Sequence, residues 1–395
     1  MMRVERKIRV GQIITNFVLG GAQDYLLAIL RGLDHRKFEV FVAGRLEGER
    51  YESLMSTSDI RVVDIPSLRR EIRPFDDLRA VYQIKKFCED FKLDIVHTHS
   101  SKPGVVGRLG AFLAGVPIIV HTIHGFPFHD FMPAVERRTL VVIERLMASI
   151  SAALLFVSSR DKNYANQLGI RARHESSTIY NGIDFSPFRV RHDRAEVRRS
   201  MGFAKKDIIV GFSGRLSEQK GVTILVEGFS RAFRKDPRLH LLLIGDGPLR
   251  SQLENQIQSL NIADNVTILG YRSDIARLLA VVDVFLMPSL WEGLSRSLGE
   301  AMYSRIPVIA TDVGGTADAV RPGETGVLIP PNDSGAIERE LISFLKRNKG
   351  RKQMVERAYR WSRKAFDIST MQRKISAFYC SLYAATNRNN QRTND

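Results

Sequence analysis

VDVFLMPSLWEGLSRSLGEAM, residues 282–302, reads as a strand, a loop and a helix in one line. The apolar run through Met287 stops at Pro288, which cannot donate to a sheet ladder. Pro288, Gly293 and Gly299 disfavour helix early, so the helix is expected near Ser297. Glu292 then lies in the loop and Glu300 in the first helical turn. A buried strand feeding a glycine-bearing polar loop and then a helix is half of a βα repeat.

The same rhythm runs outward in both directions. Upstream in this half stand DIIVGFSG, LHLLLIGDG and NVTILGY, and downstream IPVIATDVGG and GVLIPP. The first half of the chain carries KIRVGQII, EVFVAG, DIVHTHS, IIVHTIHG and ALLFVSS, separated by periodic segments such as DYLLAILRGL. Near-continuous Val/Ile/Leu runs suit strands buried on both faces of a parallel sheet. The fold class is α/β, with two doubly wound domains and a cleft between them. From about residue 182 the text turns polar and basic, and 186–206 reads as a linker. The domains are then 1–185 and 207–360, with helical, basic sequence closing the chain.

A chain of 395 residues, 44% hydrophobic and 26% charged, is long enough for two cores and soluble in composition. No apolar run reaches bilayer length. The N-terminal lead lacks an apolar h-region and a cleavage site, so no secretory leader is expected. Two distant cysteines, Cys88 and Cys380, suggest a reducing compartment and no structural metal. The net charge is +16, concentrated at the end: thirteen Lys+Arg against three Asp+Glu between 345 and 395. Such an excess suits nucleic acid, an anionic membrane or a phosphate-bearing ligand, or simply a solvated helix.

Ligands of open α/β sheets sit beyond the carboxyl ends of the strands. There, IITNFVLGGAQ enters a helix through Gly20-Gly21, where backbone N–H groups can approach an anion. It is not G-x-G-x-x-G. VGFSGRLSEQKGVTIL adds Arg215 and Lys220 ahead of a helix starting near Val222. A forked donor, a point charge and a helix terminus together suit a diphosphate. The N–H groups of Ser295, Arg296 and Ser297 would face an anion between Glu292 and Glu300. Glu300 is favourable near a helix N-terminus in any case, and a carboxylate can also accept both hydrogen bonds from a vicinal diol such as ribose. Five of nine histidines fall between His97 and His129. A zinc site there lacks any Cys or carboxylate at ligand spacing. Buried, hydrogen-bonded histidines explain one or two of the five, and His124, in a loop after a strand, is the one expected in the cleft.

Taken together these residues resemble glycosyltransferase family 4, retaining enzymes of GT-B fold. Beside the Glu292/Glu300 pair, GRLSEQKG, LIGDGP, ILGYRSDI and IYNGID occur in the expected order. The resemblance implies that Arg215 and Lys220 hold a nucleotide-sugar diphosphate, with Gly20 and Gly21 approaching from the other side. It implies Glu300 on the ribose, and Glu292 with the amides of Gly293, Leu294, Ser295 and Arg296 on the donor sugar. The base would lie near Gly270, Tyr271 and Arg272, and His124 would contact the sugar near its reacting carbon. Catalysis would rest on His124, Glu292, Arg215 and Lys220, without metal or cofactor, by front-face substitution. Residues 361–395 would cross back to the first domain and end in a frayed basic tail.

HTHSSKPGVVGRLGAFLAGVPIIVHTIHGFPFHD, residues 97–130, resembles a bacterial subgroup that builds capsule, exopolysaccharide or O-antigen units. That implies a UDP-sugar by preference, and a glycan or polyprenyl-diphosphate-linked acceptor. It also implies a cytoplasmic protein seated peripherally on the anionic face of the inner membrane. Ser295-Arg296-Ser297 departs from the apolar residues common in relatives and leaves donor identity open. Two alternatives compete: a non-hydrolysing UDP-sugar epimerase of the same fold, and a non-catalytic basic protein binding membrane or nucleic acid. The second lacks interleaved aromatics and any nucleic-acid motif, so no nucleic-acid partner is expected.

Overall fold

The computed structural model describes residues 6–346 and 350–392. The chain forms two compact units, one of residues 1–182 with 368–395 and the other of 183–367. In the first, strands β1 (Ile8–Asn16), β2 (Phe38–Arg45), β3 (Ile60–Asp64), β4 (Ile95–His99), β5 (Ile118–Ile123), β6 (Ala153–Phe156) and β7 (Glu175–Thr178) make one sheet. Its order is β3-β2-β1-β4-β5-β6-β7, parallel throughout. The second holds β8 (Ile208–Ser213), β9 (Leu239–Ile244), β10 (Val266–Ile268), β11 (Val284–Met287), β12 (Val308–Thr311) and β13 (Val327–Ile329). Their order is β10-β9-β8-β11-β12-β13, again all parallel. Each order reverses direction once, between β1 and β4 and between β8 and β11, which is where such sheets open a crevice.

Every residue of β4, β5, β6, β11 and β12 is buried, as expected of strands covered on both faces. One face of the first sheet packs on the helix Gly21–Gly32 through Tyr25, Leu26, Ile29 and Leu30. The final helix, Ile368–Arg392, joins this same core with Met371, Ile375, Phe378, Tyr379 and Leu382. Val81, Ile84 and Phe87 of helix Pro74–Asp90 and Val106 and Ala111 of helix Ser101–Leu113 cover the other face.

Three expectations change. Residues 186–206 are not a linker: a 3-10 turn, Pro187–Arg189, and a helix, Arg194–Ser200, belong to the second unit. Two of their arginines are held by Asp283, Arg194 at 2.6 Å and Arg198 at 3.3 Å, while Val197 and Phe203 are buried. The units change at 182/183 and at 367/368 rather than at 185 and 361. Residues 361–367 stay with the second unit because Ser362 donates to the Gly299 carbonyl (2.7 Å) and Phe366 is fully buried. The final helix is described as far as Arg392, and the last residues of the expected frayed tail, 393–395, lie outside the described residues.

Candidate functional site

The second unit's crevice is built from the loops after β8 and β11. The loop after β8 turns at Glu218–Lys220 and enters helix Val222–Phe233 through Gly221, whose φ is +61°. A Cβ there would lie 2.1 Å from the Pro288 carbonyl oxygen, so only glycine lets the helix start press against the β11 loop. The two loops are also tied by Leu290 N–H to Gln219 O (2.8 Å) and Gln219 Nε2–H to Trp291 O (3.1 Å). This brings Lys220 Nζ onto Glu292 Oε2 in an ion pair whose side chains are only 16% and 12% exposed. Ser289 Oγ donates to the same carboxylate oxygen at 3.2 Å. From the far side Gly314, with φ +44°, approaches so closely that a Cβ would fall 1.6 Å from Glu292 O. The neighbouring Gly315 N–H donates to Gly293 O at 2.6 Å. Three strand-end loops therefore fix one carboxylate and its lysine at the point of strand-order reversal.

Arg215 leaves the same β8 loop, is exposed, and meets no partner among the described residues. The third helix here runs Arg296–Tyr303, with Ser295 buried at its N-cap and its hydroxyl 3.0 Å from that of Ser297. Gly293 and Leu294 are buried beneath it. Since the helix begins at Arg296, Glu300 falls just past the first turn rather than in it, where the helix dipole has largely faded. A mere helix-start charge is thus a weaker account of Glu300.

At the adjoining strand ends, Gly245 N–H donates to Gly270 O at 2.9 Å. Tyr271 beside them is 56% exposed. Arg272 grips Asp274 through two 2.8 Å contacts, and that grip holds the Asp274 carboxyl down at about 2. Its guanidinium is engaged within its own loop.

In the first unit the crevice lies between β1 and β4. Gly20 caps helix Gly21–Gly32 with extended backbone, and a Cβ at Gly21 would meet nothing within 4 Å. The fold does not require glycine at 21, and the space over the helix start is open. Of the histidines beside this crevice, His97, His99 and His121 are buried and His124 is half-buried. His97 contacts Tyr379 Oη (2.5 Å) and Thr122 Oγ1 (2.6 Å), and His99 contacts Gln12 Oε1 (2.8 Å) and His124 Nε2 (3.3 Å). His121 contacts Thr98 Oγ1 at 2.8 Å. Desolvation pushes His97 and His124 down to about 3, and His99 and His121 well below their ordinary value, so all four stay neutral. Among the described residues no group of three or more His, Cys, Asp or Glu could hold a metal ion. Sequence reasoning missed Gln12, Tyr25 and Tyr379, which hold or flank this cluster. Tyr379 stands 282 positions from His97, and no local pattern could pair them.

Two all-parallel, doubly wound sheets with strand-end loops of this kind are the GT-B architecture. The family description Glycosyl transferase 4-like domain matches residues 20–182, and Glycosyl transferases group 1 matches 193–361. The Bacillus subtilis protein EpsD, named a glycosyltransferase, is 30% identical over 68% of this chain and 72% of its own length. UDP-Gal:alpha-D-GlcNAc-diphosphoundecaprenol alpha-1,3-galactosyltransferase of Escherichia coli is 28% identical over 87% of this chain and 89% of its own. Among solved structures, Anabaena HepE in complex with UDP and glucose superposes with a TM-score of 0.80 at 22% identity, covering 95% of this chain and 100% of that one. The chain belongs to glycosyltransferase family 4, and it is similar to a Staphylococcus aureus protein named for capsular polysaccharide biosynthesis.

Proposed function

We propose that this chain moves a sugar, with retention, from a UDP-sugar to a polyprenyl-diphosphate-linked glycan in surface polysaccharide synthesis. The observation that carries it is the Lys220–Glu292 pair clamped where the strand order of the second unit reverses. The Escherichia coli relative, named for a UDP-sugar and a diphosphoundecaprenol acceptor, supports the donor and acceptor classes. Lys220 and Arg215 neutralise the charge that builds on the departing diphosphate, in the place a divalent metal would otherwise take. The acceptor hydroxyl loses its proton to that diphosphate as the new bond forms on the face the leaving group vacates. Glu292 and the amides from Gly293 to Arg296 hold the sugar, Glu300 accepts from the ribose hydroxyls, and Tyr271 flanks the base. His124 and the Gly20–Gly21 turn are assigned to donor contact as well.

Thermal-shift titration with UDP, GDP and ADP tests this. UDP is expected to raise the wild-type Tm by several degrees through ligand linkage, and Glu300→Ala to lose most of that shift. No shift with any nucleotide, or an undiminished one in the variant, sinks the donor assignment.

The acceptor's lipid calls for a membrane-facing surface, and no helix among the described residues is long and apolar enough to cross a bilayer. Helix Pro74–Asp90 exposes Phe75, Leu78 and Tyr82, with Ile72 just before it and Arg79 and Lys86 on the same stripe. Its first-turn acids are occupied, Asp77 by Lys102 at 2.5 Å and Asp76 by Arg69 at 3.7 Å. Helix Ala134–Ser149 repeats the pattern with Val135, Val142 and Leu146 exposed alongside exposed Arg138 and Arg145. Apolar residues flanked by arginines suit the interface of an anionic leaflet, each cation adding about 1 kcal/mol. The triple variant Phe75→Ser, Arg79→Glu, Tyr82→Ser is expected to lose tenfold or more of its binding to phosphatidylglycerol vesicles in co-sedimentation. Unchanged sedimentation overturns this surface.

A further inference from the structure

The buried polar groups of the first unit form one directional chain. Gln12 has one donor end and one acceptor end: its Nε2 donates to Tyr379 Oη at 2.9 Å, and its Oε1 receives His99 Nε2–H at 2.8 Å. A neutral imidazole carries a single N–H, so His99 Nδ1 must accept, and it does so from His124 Nε2–H at 3.3 Å. At the other end the Tyr379 hydroxyl, already an acceptor, gives its own proton to His97 Nδ1 at 2.5 Å, leaving His97 Nε2–H to donate to Thr122 Oγ1 at 2.6 Å. Five hydrogen bonds therefore point the same way, and bonds so aligned polarise one another. The free terminus of the chain is His124 Nδ1, a buried lone pair with no hydrogen-bond partner among the described residues. Tyr25 packs edge-on against the His124 ring at 4.9 Å and limits its rotation.

We infer that Tyr379, on the final helix, and Gln12 are positioning residues that hold His124 as the Nε2–H tautomer, so that its Nδ1 accepts a hydrogen bond from a hydroxyl of the transferred sugar. The sugar part of this rests on the proposed transferase function; the tautomer part does not. Burial keeps the imidazoles neutral and Tyr379 protonated, with its phenol pushed above the ordinary value, so the direction of the chain does not change across the working pH range. His124 acts as a fixed acceptor rather than a proton shuttle. Losing the Tyr379 hydroxyl removes the partner that pins the Gln12 amide nitrogen, and the amide is free to turn over and exchange the roles of both ends.

The test is long-range 1H–15N correlation on the full chain labelled with 15N-histidine, with the His124 signals assigned by their loss in His124→Asn. The wild type is expected to show His124 as a single Nε2–H tautomer at pH 7, and a protonated Nδ1 overturns the inference without reference to activity. Tyr379→Phe is expected to give mixed or reversed tautomers, and Gln12→Met serves the same purpose if that variant does not fold. In transfer assays the variant is expected to lose about tenfold to a hundredfold in kcat/KM for the UDP-sugar while its affinity for UDP, which carries no sugar hydroxyls, is unchanged. A variant with an unaltered tautomer, or one that weakens UDP as much as the UDP-sugar, overturns the positioning role. A wild type with the expected tautomer but no transferase activity refutes the proposed function and leaves the histidine chain standing.

Discussion

Lys220→Ala is expected to lower kcat/KM for sugar transfer by about a hundredfold to a thousandfold, the scale of losing one preorganised donor at developing negative charge. It should also erase the UDP thermal shift. Two losses coincide in this variant. The diphosphate forfeits a cation held at a helix start by the Gly221–Pro288 approach. Glu292 is left mostly buried with Ser289 as its remaining side-chain partner among the described residues, so the carboxylate that should face the sugar is released from its fixed orientation. Lys220→Arg should recover little, because a planar fork does not fit the seat of a compact ammonium enclosed by two loops. Steady-state kinetics with a radiolabelled donor decides the matter. A rate within threefold of wild type removes Lys220 from the chemistry.

The second large effect is on stability. His97, His99, His121 and His124 have folded pKa values below the unfolded value near 6.5, with His97 and His124 at about 3. Between those limits the unfolded chain binds more protons than the folded one. The stability these groups contribute is therefore complete above about pH 6.5 and is lost as pH falls below it. Each neutral histidine costs about 1.4 kcal/mol per pH unit in that window, and four approach about 5 kcal/mol per unit against a total of about 5–15. Glu144, raised by burial despite its 2.9 Å contact with Arg108, works in the opposite sense but is one group against four. The first unit should unfold near pH 5, well before its histidines would titrate in place. Both tryptophans, Trp291 and Trp361, lie in the second unit, so their fluorescence reports that unit alone. On acidification, far-UV circular dichroism should fall while tryptophan emission stays native. Coincident transitions, or none between pH 6.5 and 4.5, would refute this account.

Much of the architecture was legible because parallel strands covered on both faces write themselves as unbroken apolar runs. The strands that escaped notice are the edges. β3 holds only half-exposed and exposed residues, and β7 is the polar tetrapeptide ESST, so neither carries a run to read. The segment 186–206 misled for an electrostatic reason: arginines look solvent-seeking in sequence, and only the fold reveals Asp283 waiting for Arg194 and Arg198. In the site, Lys220 and Glu292 stood out by their surroundings, but their mutual contact spans 72 positions and depends on glycine-only approaches at 221 and 314. The histidine cluster was visible, whereas its organiser was not, since Gln12 and Tyr379 come from opposite ends of the chain.

The final helix completes the unit with which the chain begins, and this sets an order of assembly during synthesis. Residues 183–367 form a contiguous unit and can close as soon as they have left the ribosome. The earlier-made strands must wait, with the seat for Ile375, Phe378, Tyr379 and Leu382 uncovered, until the last segment arrives. At ordinary elongation rates that interval is about 10 to 40 s. The unit translated first is thus the last to mature, and a ribosome stalled late in the message would release a nascent chain with an open apolar groove for chaperones to guard.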